Sequence, residues 1–157
     1  MMAVPFGALE LRVPKWSFFA IKDSIMSYLK ELVERVVRDL SMGTEEKPTI
    51  TYSHPNSEGY VEILLRDESG MTVGFGVDPL ESEVEILYEM AYRIPTVYVE
   101  LYSVGLPLVP GTERPAAPRI KEESVLWVDP SESGTWSCLV GEYGKIPGER
   151  VPISRGQ

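Results

Sequence analysis

The residues able to do acid–base or nucleophilic chemistry are few, starting with one histidine, His54, and one cysteine, Cys138. A histidine base needs a nucleophile to activate and an acid to orient it. His54 lies in Ser53-His54-Pro55-Asn56, and no spacing supplies either partner. It reads as an exposed turn residue. Cys138 falls in a β-prone stretch on the same face as Trp136 and Val140. No helix N-terminus or basic neighbour stands beside it to stabilise a thiolate, so it reads as a small buried hydrophobe. A tetrahedral structural zinc site needs more His and Cys than this pair, and a single cysteine excludes an intrachain disulfide.

Carboxylates are more plentiful. Glu81, Glu85 and Glu89 are spaced to share a helix face, with Glu83 nearby. No histidine lies three residues along to complete a carboxylate–histidine metal motif, so the run reads as a solvated acidic face and no metal or cofactor is expected. Gly74-Phe75-Gly76 imitates half of a dinucleotide-binding fingerprint. The third glycine is missing, and the pair lies inside a strand pattern. Glycines there let another segment approach closely. Tyr88, Tyr92, Tyr98 and Tyr102 fall within about 120° of one helical face at ~100° per residue. They read as core packing whose phenols can also edge a groove.

The elements that position these residues are legible from periodicity. A helix is expected over about Asp23–Met42, with Ile25, Tyr28, Leu29, Leu32, Val33, Val36, Val37 and Leu40 as its apolar stripe. Lys30, Glu31, Glu34, Arg35 and Arg38 take the other side, with Glu31–Arg35 and Glu34–Arg38 as i,i+4 pairs, and Gly43 marks the stop. Thr49–Tyr52 is a short strand. Tyr60–Arg66 and Met71–Val77 flank an Asp67-Glu68-Ser69-Gly70 hairpin turn, with Val61, Ile63, Leu65, Met71, Val73, Phe75 and Val77 inward.

Asp78, Pro79 and Glu81 resemble a cap, first position and capping box for a second helix over Pro79–Ser103. Its apolar rhythm runs straight across Pro95, which predicts a kinked helix. The β-formers of 96–102 offer a strand as the alternative. Six glycines and prolines in 105–119 predict a long extended loop. A second hairpin is expected, Val125–Asp129 returning as Thr135–Val140, with Trp127 and Trp136 paired across it.

These elements give an α+β fold: a mainly antiparallel sheet of about five strands, two hairpins plus one short strand, packed against two amphipathic helices. The expected organisation is an N-terminal arm (1–22), one domain (23–146) and a flexible tail (147–157). Met26 reads as a core methionine or as an internal translation start. No secretion signal or membrane-spanning run is seen, so a cytoplasmic location is expected. The order helix, three strands, helix, two strands, in a small acidic chain, resembles the type III secretion chaperone and YbjN-like fold over about residues 23–140. The resemblance rests on element order, size and charge, without the C-terminal helix usual in that fold. It implies a dimeric, non-catalytic protein that binds another polypeptide.

The net charge of −9 is spread evenly: 8 basic against 12 acidic residues in 1–78, and 7 against 12 in 79–157. Such a surface repels nucleic acid and anionic membranes and steers toward a basic partner. The expected function is therefore a non-catalytic, acidic protein-binding module, chaperone-like or immunity-protein-like, able to form a homodimer. Its contact surface is Glu85, Glu89 and Glu100 with Arg93. The alternatives are a small enzyme with a carboxylate/tyrosine groove under the proline segment, or a structural subunit of a bacteriophage-type assembly.

Overall fold

The computed structural model describes residues 15–145. Its order is α1 (Lys15–Leu40), β1 (Thr49–Tyr52), β2 (Val61–Arg66), β3 (Thr72–Val77), α2 (Glu83–Tyr102), β4 (Ala117–Lys121), β5 (Ser124–Val128), β6 (Ser137–Leu139) and a 3-10 turn (Tyr143–Lys145). The class is α+β with two long helices, as the periodicity implies. Helix α1 begins at Lys15, eight residues before the expected Asp23. Pro14 is the last residue before it unable to continue a helix, and none of the residues 15–42 is glycine or proline. The rest of the expected arm, and the expected tail, lie outside the described residues.

The sheet differs from expectation. Among the described residues six strands form two three-stranded antiparallel sheets, β1-β2-β3 and β4-β5-β6, where a single sheet of about five was expected. The additional strand is β4, inside the proline-rich stretch read as loop. Among the described residues it pairs only with β5, at the edge of its sheet, where Pro118 is tolerated. Helix α2 contacts α1, β3, β4 and β5, and so lies between the two sheets.

The core follows the hydrophobic patterns. Leu29, Leu32, Val33, Val36 and Leu40 of α1 are fully buried, as are Val61, Ile63 and Leu65 of β2. Phe75 and Val77 of β3 join them, whereas Met71, expected inward, precedes the strand and is 50% exposed. Its backbone closes the hairpin turn instead, with Asp67 N–H donating to Met71 O. Gly74 leaves the room that the Leu64 side chain on β2 occupies, and Gly76 faces the Tyr60 ring. Met26 is partly buried against the core.

Helix α2 runs as helix through Pro95, so the strand alternative for 96–102 is excluded. Burial decides it. Ile86, Leu87, Met90, Ala91, Ile94, Val97 and Tyr98 form one continuous buried stripe, which a change to alternating geometry would break. The cap is Ser82, whose side chain accepts from Glu85 N–H, and not Asp78. Asp78 closes a separate turn by accepting from Leu80 N–H (3.0 Å). Ser82-Glu83-Val84-Glu85 is the capping sequence actually used. Ser103 ends the helix in the left-handed conformation, its N–H bonded to Val99 O.

Candidate functional site

Helix α2 presents Glu85, Glu89, Arg93 and Glu100, the contact residues expected from the sequence, on one outward face. Counting ~100° per residue, Glu85, Glu89, Arg93, Thr96 and Glu100 lie along the top, and Tyr92 and Val99 along one flank. Arg93 bonds Glu89 at 3.0 Å, so one carboxylate of the four-residue set is neutralised within its own helix. Glu85 and Glu100 are exposed. The Glu81 carboxyl is held above its usual value by partial desolvation and by the nearby Glu85, Asp78 and Glu89. This end of the helix therefore carries uncompensated negative charge.

The tyrosine row divides. Tyr98 is fully buried, and burial followed by Tyr102 pushes its hydroxyl up to about 12. That hydroxyl has no hydrogen-bond partner among the described residues. The Tyr102 ring meets the Tyr98 ring edge-on, centroids 5.4 Å apart, while Tyr92 stacks on Tyr88 at 6.4 Å and is itself 55% exposed. Beside Tyr92 and Val99 the surface opens into an apolar groove of about 260 Å³, closed on the far side by Leu106, Pro115, Ala117 and Pro118. This is the groove under the proline segment. Its lining includes Tyr92 but no carboxylate, so the expected carboxylate/tyrosine pairing is not brought together there.

The larger cavity, about 500 Å³, lies elsewhere, between α1, the start of α2 and the second sheet. Its frame is fixed by a residue that sequence reasoning missed. Asp39, on α1, is 1% exposed. Its carboxylate accepts from Trp127 Nε1 (2.7 Å), from Gly141 N–H and from Tyr143 N–H (3.1 Å). Burial raises its pKa, and the hydrogen bonds and Arg38 act against that rise. One side chain thus ties the first long helix to β5 and to the last described turn. Gly141 has φ +100°, and a Cβ there would collide with the Arg35 side chain, so glycine is required where the chain passes under α1.

Trp127 is therefore bonded to Asp39 and not paired with Trp136. Its register partner is Cys138, while Trp136 stacks edge-on with Tyr143 at 6.2 Å. Cys138 is half-buried, and burial, then Asp39 and Glu142, push its thiol up to about 12, the opposite of nucleophile activation. His54 is exposed in its turn. Among the described residues no group of three His, Cys, Asp or Glu is placed to hold a metal ion, and no helix is long and apolar enough to cross a membrane. Comparison with protein-family models, with curated proteins and with solved structures finds no match to this chain.

Proposed function

We propose that this protein is a non-catalytic polypeptide-binding module that uses the outer face of α2. The observation that carries the reading is the pairing of half-exposed Tyr92 and Val99 (55% and 49%) with an apolar groove alongside. Its volume, about 260 Å³, is below the range usual for small-molecule sites but suits the side-chain anchors of a peptide. The occupant is a polypeptide segment that puts apolar side chains into the groove and Lys or Arg over α2. Charge complementarity supports that choice: Glu85 and Glu100 are exposed on the outer face of the same helix in a chain of net charge −9. Chaperone-like or immunity-like use is the narrower form of this proposal, in a cytoplasmic setting.

The test is co-purification from the native source with parent protein, the charge reversal E85K/E89K/E100K and the groove variant Val99→Asp. A partner lost with both variants and weakened by salt supports the reading. Retention with both overturns it. A partner that is another copy of this chain, seen by light scattering, assigns the face to self-association instead, and a large regular oligomer favours the assembly-subunit alternative.

A further inference from the structure

The cavity framed by Asp39 is separate from the α2 outer face. At about 500 Å³ it falls within the size range of sites for small ligands. Its apolar lining comes from Val84 and Leu87 of α2 and from Val125 and Leu139 of the second sheet; Leu139, in β6, is 44% exposed.

Charges of both signs surround that lining. Arg35 is occupied, at 3.3 Å from Glu31 and 3.8 Å from Glu83. Arg38 makes a long bond to Gly141 O, 3.4 Å, and its charge also acts on the adjacent Asp39; among the described residues neither it nor Lys145 forms an ion pair with a carboxylate. Glu123 and Glu142 also face the cavity, and neither pairs with a cation there. Arg38, Lys145, Glu123 and Glu142, all solvent-exposed and none in an ion pair among the described residues, thus line one partly apolar space. An anion alone would meet Glu123 and Glu142, and a cation alone would meet Arg38 and Lys145. A ligand carrying both charges satisfies the set.

The frame is built to hold these groups in place. Asp39 fixes Gly141 and Tyr143, between which Glu142 lies. Glu123 is presented by the β4–β5 hairpin, where Glu122 and Glu123 both adopt left-handed backbone, φ +53° and +66°. Such turns ordinarily use Asn and Gly, and a left-handed non-glycine residue is strained by its Cβ. Strain of this kind, kept at the rim of this cavity, accords with a binding role for the turn.

We infer that this cavity binds a small zwitterion of the short-peptide class, its carboxylate on Arg38 and Lys145, its ammonium on Glu123 and Glu142, and an aliphatic side chain on the apolar lining. The probe is the dipeptide leucyl-leucine, titrated at millimolar concentration into 15N-labelled full-length protein, with N-acetyl-leucyl-leucine amide as its uncharged counterpart. Leucyl-leucine is expected to shift the amides of Val84, Gly141 and Glu142, and the blocked peptide to leave them in place. Arg38→Gln and Glu123→Gln are each expected to weaken binding by about tenfold, the loss of one charge-assisted hydrogen bond. Val99→Asp, which disables only the α2 groove, leaves the titration unchanged, so failure here and failure of the polypeptide-binding reading are distinguishable. No shift with leucyl-leucine, equal shifts with the blocked peptide, or undiminished binding in both variants overturns the inference.

Discussion

Replacing Asp39 with alanine probes the buried polar tie between α1 and the second sheet. The change leaves three donors without their acceptor: the Trp127 indole and the Gly141 and Tyr143 amides. Trp127 is 0% exposed and Gly141 is buried, so neither regains water, and each orphaned donor costs about 1–3 kcal/mol. Tyr143 is half-buried and its amide recovers part of its loss from solvent. Relief of the burial that raises the Asp39 pKa offsets some of the total. The net expectation is a loss of about 3 kcal/mol, a large part of the ~5–15 kcal/mol typical of a domain. At a urea dependence of about 1.5–2 kcal/mol/M, the unfolding midpoint falls by about 1.5–2 M. Urea titration followed by tryptophan fluorescence measures it. Asp39→Asn keeps one carbonyl acceptor and is expected to lose about half as much. A midpoint for Asp39→Ala within about 0.3 M of the parent would refute the tie.

Further outcomes follow from the same physics. Tyr98→Phe removes a buried hydroxyl with no partner among the described residues, so stability should hold or rise by up to about 1 kcal/mol; a clear loss in thermal unfolding contradicts that placement. Glu122→Asn with Glu123→Gly relieves the left-handed turn and should raise stability by about 1 kcal/mol while weakening leucyl-leucine binding; a less stable double variant refutes the strain argument. For pH, burial holds the folded pKa of Asp39 above the ordinary aspartate value of 3.8, while hydrogen bonds from Ser131 and then Arg114 hold that of Asp129 below it. The stability difference between parent and Asp39→Asn should therefore fall as pH rises from 3.8 through the raised Asp39 value. The difference between parent and Asp129→Asn should instead grow with pH up to 3.8. Urea midpoints across pH 2–7 separate the two signs, and equal slopes contradict both.

Long, strongly periodic segments were readable from the sequence because their burial is local. The α1 stripe and the β2–β3 hairpin are where their spacing puts them, and the unbroken stripe across Pro95 foretold helix over strand. Nonlocal choices were not readable. Strand β4 is masked by Pro115 and Pro118, since proline signals loop unless the strand is known to be at an edge. The separation into two sheets depends on α2 lying between β3 and β4, which no local pattern encodes. Asp39 looks like one more charge beside an apolar stripe; its partners lie 88–104 residues away. A polar residue wedged between Val36 and Leu40, four residues apart on the stripe, was the one available signal. The α2 cap was missed because Asp78-Pro79 and Ser82-Glu85 are both valid starts, and tertiary packing uses the second. Of the contact residues, the helix face of Glu85, Glu89, Arg93 and Glu100 was legible, but the apolar groove beside it required the proline segment to fold back.

The central claim, that α2 receives a basic–apolar polypeptide segment, is tested most directly by photo-crosslinking at the groove. Val99→p-benzoylphenylalanine in the native source, with the crosslinked peptide sequenced by mass spectrometry, reads out both place and chemistry. The expected result is one recurrent segment with apolar residues flanked by Lys or Arg, absent when E85K/E89K/E100K is added to the same chain. Crosslinks to unrelated sequences, unchanged by that charge reversal, would contradict it.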